Sequence, residues 1–233
     1  MVQYRESRPL RVPEEEANCR RHANDDTPSM FKEERKREGE MKKVYLVPAR
    51  GTHPNDLWYP WVKSTLEQAG YVMNVPHMPN PDSPQKAAWL SALEAGLPEV
   101  DEDTYFIGHS VGCQAILRFL DGLPPGNRCG GVVLVAGWVR FPNWEGRSQE
   151  QKAILEDWLN PPLDLRKVAD RSRRFIAIFS DNDEFVPQEN WAVCEQELHA
   201  KVIVKHAAGH FERRDVLELP DVVAAIAEIS EQA

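Results

Sequence analysis

Apolar and polar positions alternate along this chain from Met41 onward in a way that predicts strands and helices in turn. Short runs rich in β-branched and aromatic residues are separated by longer stretches with helical spacing. The runs predict strands over 43–48, 71–75, 103–107, 131–136, 174–179 and 201–205. The intervening stretches predict helices over 58–69, 85–95, 111–121, 148–159, 188–199 and 219–230. This alternation is typical of an α/β fold, with a doubly wound parallel sheet covered by helices on both faces.

The first 40 residues lack this pattern and are dominated by charge. Nineteen of them are Lys, Arg, Asp or Glu, against 46 of the remaining 193. Such a segment cannot bury enough apolar surface to offset the entropy lost on ordering. We therefore predict a disordered tail over residues 1–40 and a folded domain over 41–233. A translation start upstream of the true one, at Met41, explains the tail as well.

Composition narrows the class of protein further. The net charge of −9 and the pI near 5.3 argue against nucleic acid or an anionic membrane as a partner. No apolar run approaches the ~20 residues of a membrane span, and the N-terminus is too polar for a signal peptide, so a cytoplasmic protein is expected. The cysteines are scattered without C-x-x-C pairing, which predicts neither a disulfide framework nor a metal site.

The segment Gly-His-Ser-Val-Gly at 108–112 is the most informative about chemistry. It joins the third predicted strand to the third predicted helix, which is the context of a nucleophile elbow. There a serine stands on a sharp turn above the sheet, and a glycine two positions to each side lets the backbone fold tightly. The pattern alone arises by chance in glycine-rich chains, but the strand and helix around it favour Ser110 as a nucleophile.

A serine hydroxyl needs a base and an orienting acid, and both follow in the order typical of α/β-hydrolases. Asp183 comes after the fifth predicted strand and His210 after the sixth. Asp181 is a rival for the acid in a loop that can also be read as a solvated turn, and His206 is a rival for the base. We favour Asp183 because it precedes a segment that can enter the next helix, and His210 because the preceding glycine allows a tight turn. His109, inside the elbow, is expected to support the turn.

Aromatic residues lie near the predicted site in two loops. Trp138 follows the fourth predicted strand and should face the same edge of the sheet as Ser110, and Trp58 can reach the rim of a pocket. Both are therefore candidate substrate-binding residues. Packing against the core explains them about as well. The segment 137–162 is too short for a large lid, which predicts a shallow pocket.

From Met41 to about Ser230 the chain resembles the small serine hydrolases named after retinoblastoma-binding protein 9, a minimal branch of the α/β-hydrolase superfamily. The segments that carry the resemblance are 44–48, 58–62, 76–81, 108–112, 183–187 and 209–211. It implies a minimal α/β-hydrolase fold with about six parallel strands in the order 2-1-3-4-5-6. It also implies a Ser-His-Asp triad of Ser110, His210 and Asp183.

Two departures limit what the resemblance implies. The namesake carries a Leu-x-Cys-x-Glu segment, whereas residues 97–101 read Leu-Pro-Glu-Val-Asp, so binding to the retinoblastoma protein is not expected. The loop at 48–53 is poorer in glycine than is usual in the family, which leaves the oxyanion donors open. We name the backbone amides of Arg50 and Val111, with Gly51 as the alternative to Arg50.

The function these observations favour is hydrolysis of an ester, thioester or amide of a small-molecule substrate through an acyl-enzyme, with no cofactor and no metal. One alternative is a binding protein that keeps the hydrolase scaffold without turnover, because a fold does not fix a function. Another is transfer of the acyl group to an acceptor other than water.

Overall fold

Six parallel strands form one sheet in the computed structural model, which describes residues 41–97 and 99–231. The strands are β1 (Lys43–Val47), β2 (Val72–Asn74), β3 (Thr104–His109), β4 (Gly131–Val135), β5 (Phe175–Ser180) and β6 (Lys201–Lys205). They lie in the order β2-β1-β3-β4-β5-β6, and every neighbouring pair is parallel. The predicted fold class and strand order are therefore confirmed.

Helices cover both faces of this sheet. They are α1 (Tyr59–Gln68), α2 (Lys86–Gly96), α3 (Val111–Gly122), α4 (Gln149–Leu159), α5 (Leu165–Ala169), α6 (Glu189–Glu197) and α7 (Pro220–Glu231). Helices α1 and α7 pack together on one face, whereas α2, α3, α5 and α6 pack on the other. Helix α5 was not predicted, because five residues are too few to show a helical period. It begins where the Asp164 carboxylate accepts a hydrogen bond from the Lys167 N–H at 3.2 Å.

The central strands account for the core. Every residue of β3, β4 and β5 is buried, as expected for strands covered on both faces, whereas the edge strand β6 is partly exposed. Because all strands run in the same direction, the segments that follow β3, β5 and β6 meet at one edge of the sheet. This is the edge at which open α/β sheets hold their sites.

Two further expectations concern the limits of the chain and the membrane. The tail predicted over residues 1–40 lies outside the described residues. Within the part of the chain that the structure describes, no helix is both long enough and apolar enough to cross a bilayer.

Candidate active site

Ser110 stands on a strained turn between β3 and α3. Its backbone has φ 54° and ψ −118°, in the left-handed half of the Ramachandran map that residues with a side chain rarely adopt. The Ser110 N–H donates to the Val135 carbonyl oxygen at 2.9 Å, which ties the turn to the end of β4. A turn held this tightly is typical of functional positions, where the surrounding structure maintains the strain.

The two flanking glycines are required by close approach of the backbone. A Cβ on Gly112 would lie 2.2 Å from the Val47 carbonyl oxygen, and a Cβ on Gly108 would lie 2.8 Å from the Cys113 Cα. Neither neighbour is a flexible side chain that could move aside. The glycines therefore allow α3 to start directly against β1 and β3, which presents Ser110 above the sheet.

Ser110, His210 and Asp183 form one hydrogen-bonded chain. The Ser110 Oγ lies 2.8 Å from His210 Nε2, and His210 Nδ1 lies 2.8 Å from Asp183 Oδ2. Asp183 is an acceptor, so Nδ1 carries the imidazole proton and Nε2 accepts from the serine hydroxyl. The side chains of His210 and Asp183 are 6% and 2% exposed. The remaining oxygen of Asp183 accepts the N–H groups of Phe185 and Val186 at 2.8 and 3.1 Å.

Side chains at the end of β5 and in the loop that follows it hold the segment that leads to His210. Three successive residues each accept a backbone N–H from that segment: Asp181 from Ala207 at 2.8 Å, Ser180 from Ala208 at 2.9 Å and Asn182 from Gly209 at 2.8 Å. Sequence reasoning missed Ser180 and Asn182 as supporting residues. Their signal is that short polar side chains stand at the end of a buried strand and directly after it, where they commonly bond to backbone.

The two rivals from the sequence pair with each other. Asp181 Oδ2 lies 2.6 Å from His206 Nδ1, and the His206 side chain is 91% exposed. Neither residue lines the cavity above Ser110. The structure thus brings Asp183 and His210 to the serine and leaves Asp181 and His206 as a separate surface pair.

His109 is completely buried directly behind this chain of residues. Its Nε2 lies 2.9 Å from the His210 carbonyl oxygen, and its Nδ1 lies 2.7 Å from the Tyr59 hydroxyl. Burial, helped by the nearby His210, lowers the pKa of His109 from 6.5 to about 3. The His109 imidazole is therefore neutral at physiological pH.

A cavity of about 280 Å³ opens above Ser110. Its walls come from the loop after β1, the loop before α2, the start of α3, the segment after β4, helix α4 and the loops that carry Asp183 and His210. The lining residues are Arg50, Gly51, Asp82, Pro84, Ser110, Val111, Trp138, Arg147, Gln151, Ile154, Leu155, Phe185, His210 and Glu212. The cavity therefore combines an apolar wall from α4 with charged groups of both signs.

The charged groups lie close to His210. The Phe185 ring meets the His210 ring edge to face with centroids 5.0 Å apart, and the Arg147 guanidinium lies 4.9 Å above the Phe185 ring. Glu212 Oε1 lies 3.8 Å from His210 Nε2, and burial raises the pKa of Glu212. Arg147, Phe185 and Glu212 were not singled out in the sequence, because isolated loop residues carry no pattern.

The two predicted substrate-binding tryptophans have different positions. Trp138 lines the cavity, and its carbonyl oxygen accepts from the buried Gln114 amide on α3 at 3.0 Å. Trp58 does not line the cavity, so its predicted place at the pocket rim is wrong. It is 1% exposed, and its indole N–H donates to the Phe211 carbonyl oxygen at 3.1 Å, because its position before α1 turns the ring into the core.

The candidate oxyanion donors differ in how their N–H groups are engaged. Val111 is the first residue of α3, so its N–H has no carbonyl within the helix to bond. The Gly51 N–H donates to the Pro81 carbonyl oxygen at 2.8 Å, whereas the described residues offer the Arg50 N–H no such partner. Arg50 is also held in position by its side chain, whose Nε donates to the Asp82 carbonyl oxygen at 2.7 Å.

One group of potential metal ligands lies within the described ranges. His109, His210 and Glu212 offer ligand atoms that all lie within 4.8 Å of one another. The nitrogens of both histidines already hydrogen bond to protein groups, so a metal ion would have to displace those bonds. The group is better described as part of the hydrogen-bonded surroundings of Ser110.

A serine on a strained turn between the third strand and its helix, in a six-stranded parallel sheet of this order, defines an α/β-hydrolase. The chain belongs to the serine hydrolase family, whose model matches residues 44–225. It is 29% identical over 170 residues to the putative hydrolase YdeN of Bacillus subtilis, covering 73% of this chain and 86% of that protein.

Two other comparisons agree. The serine hydrolase RBBP9 of Rattus norvegicus is 27% identical over 190 residues, covering 79% of this chain and 95% of that protein. The crystal structure of the B. subtilis ydeN gene product superimposes with a TM-score of 0.73 at 28% identity, covering 82% of this chain and all of the other. The protein is therefore an enzyme of the serine hydrolase class, as the resemblance in its sequence implied.

The neutral state of His109 predicts how stability depends on pH. The unfolded chain takes up a proton at His109 near pH 6.5, whereas the folded protein does so only near pH 3. The unfolded state therefore binds more protons between these values, and the free energy of unfolding should fall as the pH is lowered through this range. One proton corresponds to about 1.4 kcal/mol per pH unit.

Denaturant unfolding of the wild type and His109→Gln at pH 8, 6, 5 and 4 checks this expectation. Carboxylates also titrate in this range, so the informative quantity is the difference in slope between the two proteins. The variant should lose stability less steeply with acid, whatever its stability at pH 8. Equal slopes in the two proteins would contradict the expectation, because they would show that folding does not lower the pKa of His109.

Proposed function

We propose that the protein hydrolyses an ester, thioester or amide of a small molecule through a covalent acyl-enzyme on Ser110. The proposal rests on two hydrogen bonds of 2.8 Å, one between Ser110 Oγ and His210 Nε2 and one between His210 Nδ1 and Asp183. The Asp183 carboxylate, on which they end, is buried. Membership of the serine hydrolase family supports it.

Acylation begins with attack of the Ser110 oxygen on the substrate carbonyl carbon. The serine proton passes to His210 Nε2, which faces the hydroxyl and carries no proton of its own in the resting tautomer. Asp183 holds the other ring nitrogen and stabilises the imidazolium that forms. The imidazolium then gives its proton to the departing alcohol, thiol or amine as the bond from carbonyl carbon to leaving group breaks.

The charge on the tetrahedral oxygen requires donors that are fixed before the reaction. The N–H of Val111 at the start of α3 is one, and the positive end of the helix adds to it. The Arg50 N–H is the second, since the Gly51 N–H is engaged with Pro81. Water then attacks the acyl-enzyme with His210 as base, which releases the acid and restores Ser110.

The cavity supports a small acyl group. Its volume of about 280 Å³ lies just below the ~300–1,000 Å³ typical of ligand pockets. Ile154 and Leu155 of α4, together with Trp138, supply apolar contact for a short chain.

The first test concerns the nucleophile. Ser110→Ala removes the attacking oxygen, so covalent labelling by a fluorophosphonate should disappear and turnover of p-nitrophenyl butyrate should fall by about three orders of magnitude or more. Ser91→Ala is the control, since Ser91 is an exposed residue of α2 that does not line the cavity, and labelling of that variant should persist. Undiminished esterase activity in folded Ser110→Ala would contradict the proposal, and a wild type that neither labels nor turns over would favour a binding protein.

The second test separates the two acids. Asp183→Asn removes the charge opposite His210 and disfavours the required tautomer, so kcat should fall by about 10³-fold or more. Asp181→Asn changes a residue two positions away that pairs with exposed His206, and it should retain most of the activity. Steady-state kinetics of both variants at one pH give the comparison. The reverse order of losses would assign the acid to Asp181.

The third test concerns substrate size. Each acyl methylene that remains in water forgoes roughly 0.8 kcal/mol, or about fourfold in kcat/KM. We therefore expect kcat/KM for p-nitrophenyl esters to peak between acetate and butyrate. Leu155→Ala should move the peak to longer chains, whereas Leu159→Ala on the same helix, which does not line the cavity, should not. A steady rise to palmitate in the wild type would contradict the small acyl site.

A further inference from the structure

We propose that His109 is a positioning residue, whose neutral imidazole holds the loop of the proposed base in register with the loop of the proposed oxyanion donor. This inference rests on the proposed function. His109 touches neither the cavity nor the Ser110 hydroxyl, so it would act only through His210 and through the loop after β1. Substitution of His109 should therefore alter the positions of His210 and of the loop after β1 relative to Ser110.

Directions of the hydrogen bonds around His109 are all determined. The His210 carbonyl oxygen can only accept, so the His109 proton is on Nε2 and points to it. The neutral ring then has a lone pair on Nδ1, which accepts the proton of the Tyr59 hydroxyl. Because the Tyr59 hydroxyl proton is donated to His109, the Tyr59 oxygen acts as an acceptor on its other side and accepts the Ala49 N–H at 3.0 Å. The result is a continuous buried path from Ala49 to the backbone of His210.

At the far end of this path, His109 holds the residue that carries the base. Three side chains at the end of β5 and in the loop after it bond to the backbone of residues 207–209, and none of them bonds to the His210 backbone. His109 bonds to the carbonyl of His210, and Trp58 bonds to the carbonyl of Phe211. Residues 207–209 of this loop are therefore held by side chains from the end of β5 and the loop after it, whereas His210 is held by His109 from the core.

At the near end, the same path holds the loop that presents Arg50. Tyr59 accepts the N–H of Ala49, the residue directly before Arg50. The hydroxyl of Thr52 donates to the carbonyl of Ala49 at 2.8 Å, which fixes the opposite side of that residue. A displacement of His109 would therefore change the positions of both the proposed base, His210, and the proposed oxyanion donor, Arg50.

The path requires His109 to stay uncharged. Its ring centroid lies 5.7 Å from that of His210, so a charge on His109 would oppose the imidazolium that forms there during the reaction. A second proton on the ring would also remove the acceptor for Tyr59. The low pKa of His109 that burial produces maintains both conditions.

Two amide substitutions of His109 separate positioning from packing. A glutamine reaches far enough to put its NH₂ group where Nε2 lies and can still donate to the His210 carbonyl. An asparagine is shorter and can only replace Nδ1. If the bond to His210 positions the base, kcat of His109→Asn should fall about 10- to 100-fold with KM nearly unchanged, whereas His109→Gln should recover most of kcat. The rate of fluorophosphonate labelling should follow kcat.

Two tyrosine variants provide a second test of the inference, in which His109 itself is unchanged. Tyr59→Phe removes the hydroxyl that joins Ala49 to His109, and it should lower kcat and labelling rate without changing KM. Tyr105→Phe is the matched control, since Tyr105 is also buried and its hydroxyl has no partner among the described residues. Its activity should stay at the wild-type level.

The free energy of unfolding of each variant completes the experiment. The inference is overturned if Gln and Asn lose equal activity, if losses follow stability alone, or if Tyr59→Phe and Tyr105→Phe behave alike. An active wild type with any of these outcomes leaves the proposed function intact. A wild type that neither labels nor hydrolyses esters overturns the proposed function, and the role of His109 with it.

Discussion

The contact between the first turn of α3 and the end of β1 is the constraint on which the site depends. The backbone at Gly112 lies so close to the Val47 carbonyl that a methyl group would be 2.2 Å from it. This contact fixes the start of α3 beside the loop that follows β1. The N–H groups of Val111 and Arg50 come from these two elements, so the space between them is set by backbone packing. In their proposed role as oxyanion donors, N–H groups fixed in this way would need little reorganisation, which is what makes a donor effective toward a developing charge.

His210 depends on a second set of constraints, because it lies on a loop and loops have few contacts of their own. Polar side chains hold that loop from the side of β5, and buried ring nitrogens hold it from the side of α1 and β3. Every one of these bonds ends on a backbone group. The bond from Trp58 to the Phe211 carbonyl is buried, and leaving a buried polar group unpaired costs about 1–3 kcal/mol, so this contact favours one arrangement of the loop.

The hydrophobic pattern predicted the six strands and six of the seven helices of the described chain to within a few residues, because the strands are short runs rich in apolar residues and the helices have apolar residues at helical spacing. Motif order predicted which residues would meet at Ser110, since parallel strands bring their carboxyl ends to one edge. Trp58 could not be assigned in this way, because an aromatic ring in a loop can face the core or the cavity, and only its contact with Phe211 decides. Arg147 and Glu212 reach the cavity through tertiary packing alone, and no local pattern marks them.

The hydrogen bond between Ser110 and His210 joins residues that are 100 positions apart in the chain. Contacts of such long range form late, since the entropy of closing the intervening chain must be overcome first. Strand β6 lies at the edge of the sheet, and the loop that follows it carries His210. Because a chain is synthesised from its N-terminus, Ser110 is made well before His210, and the hydrogen bond between them can form only after β6 and the loop that follows it have been made.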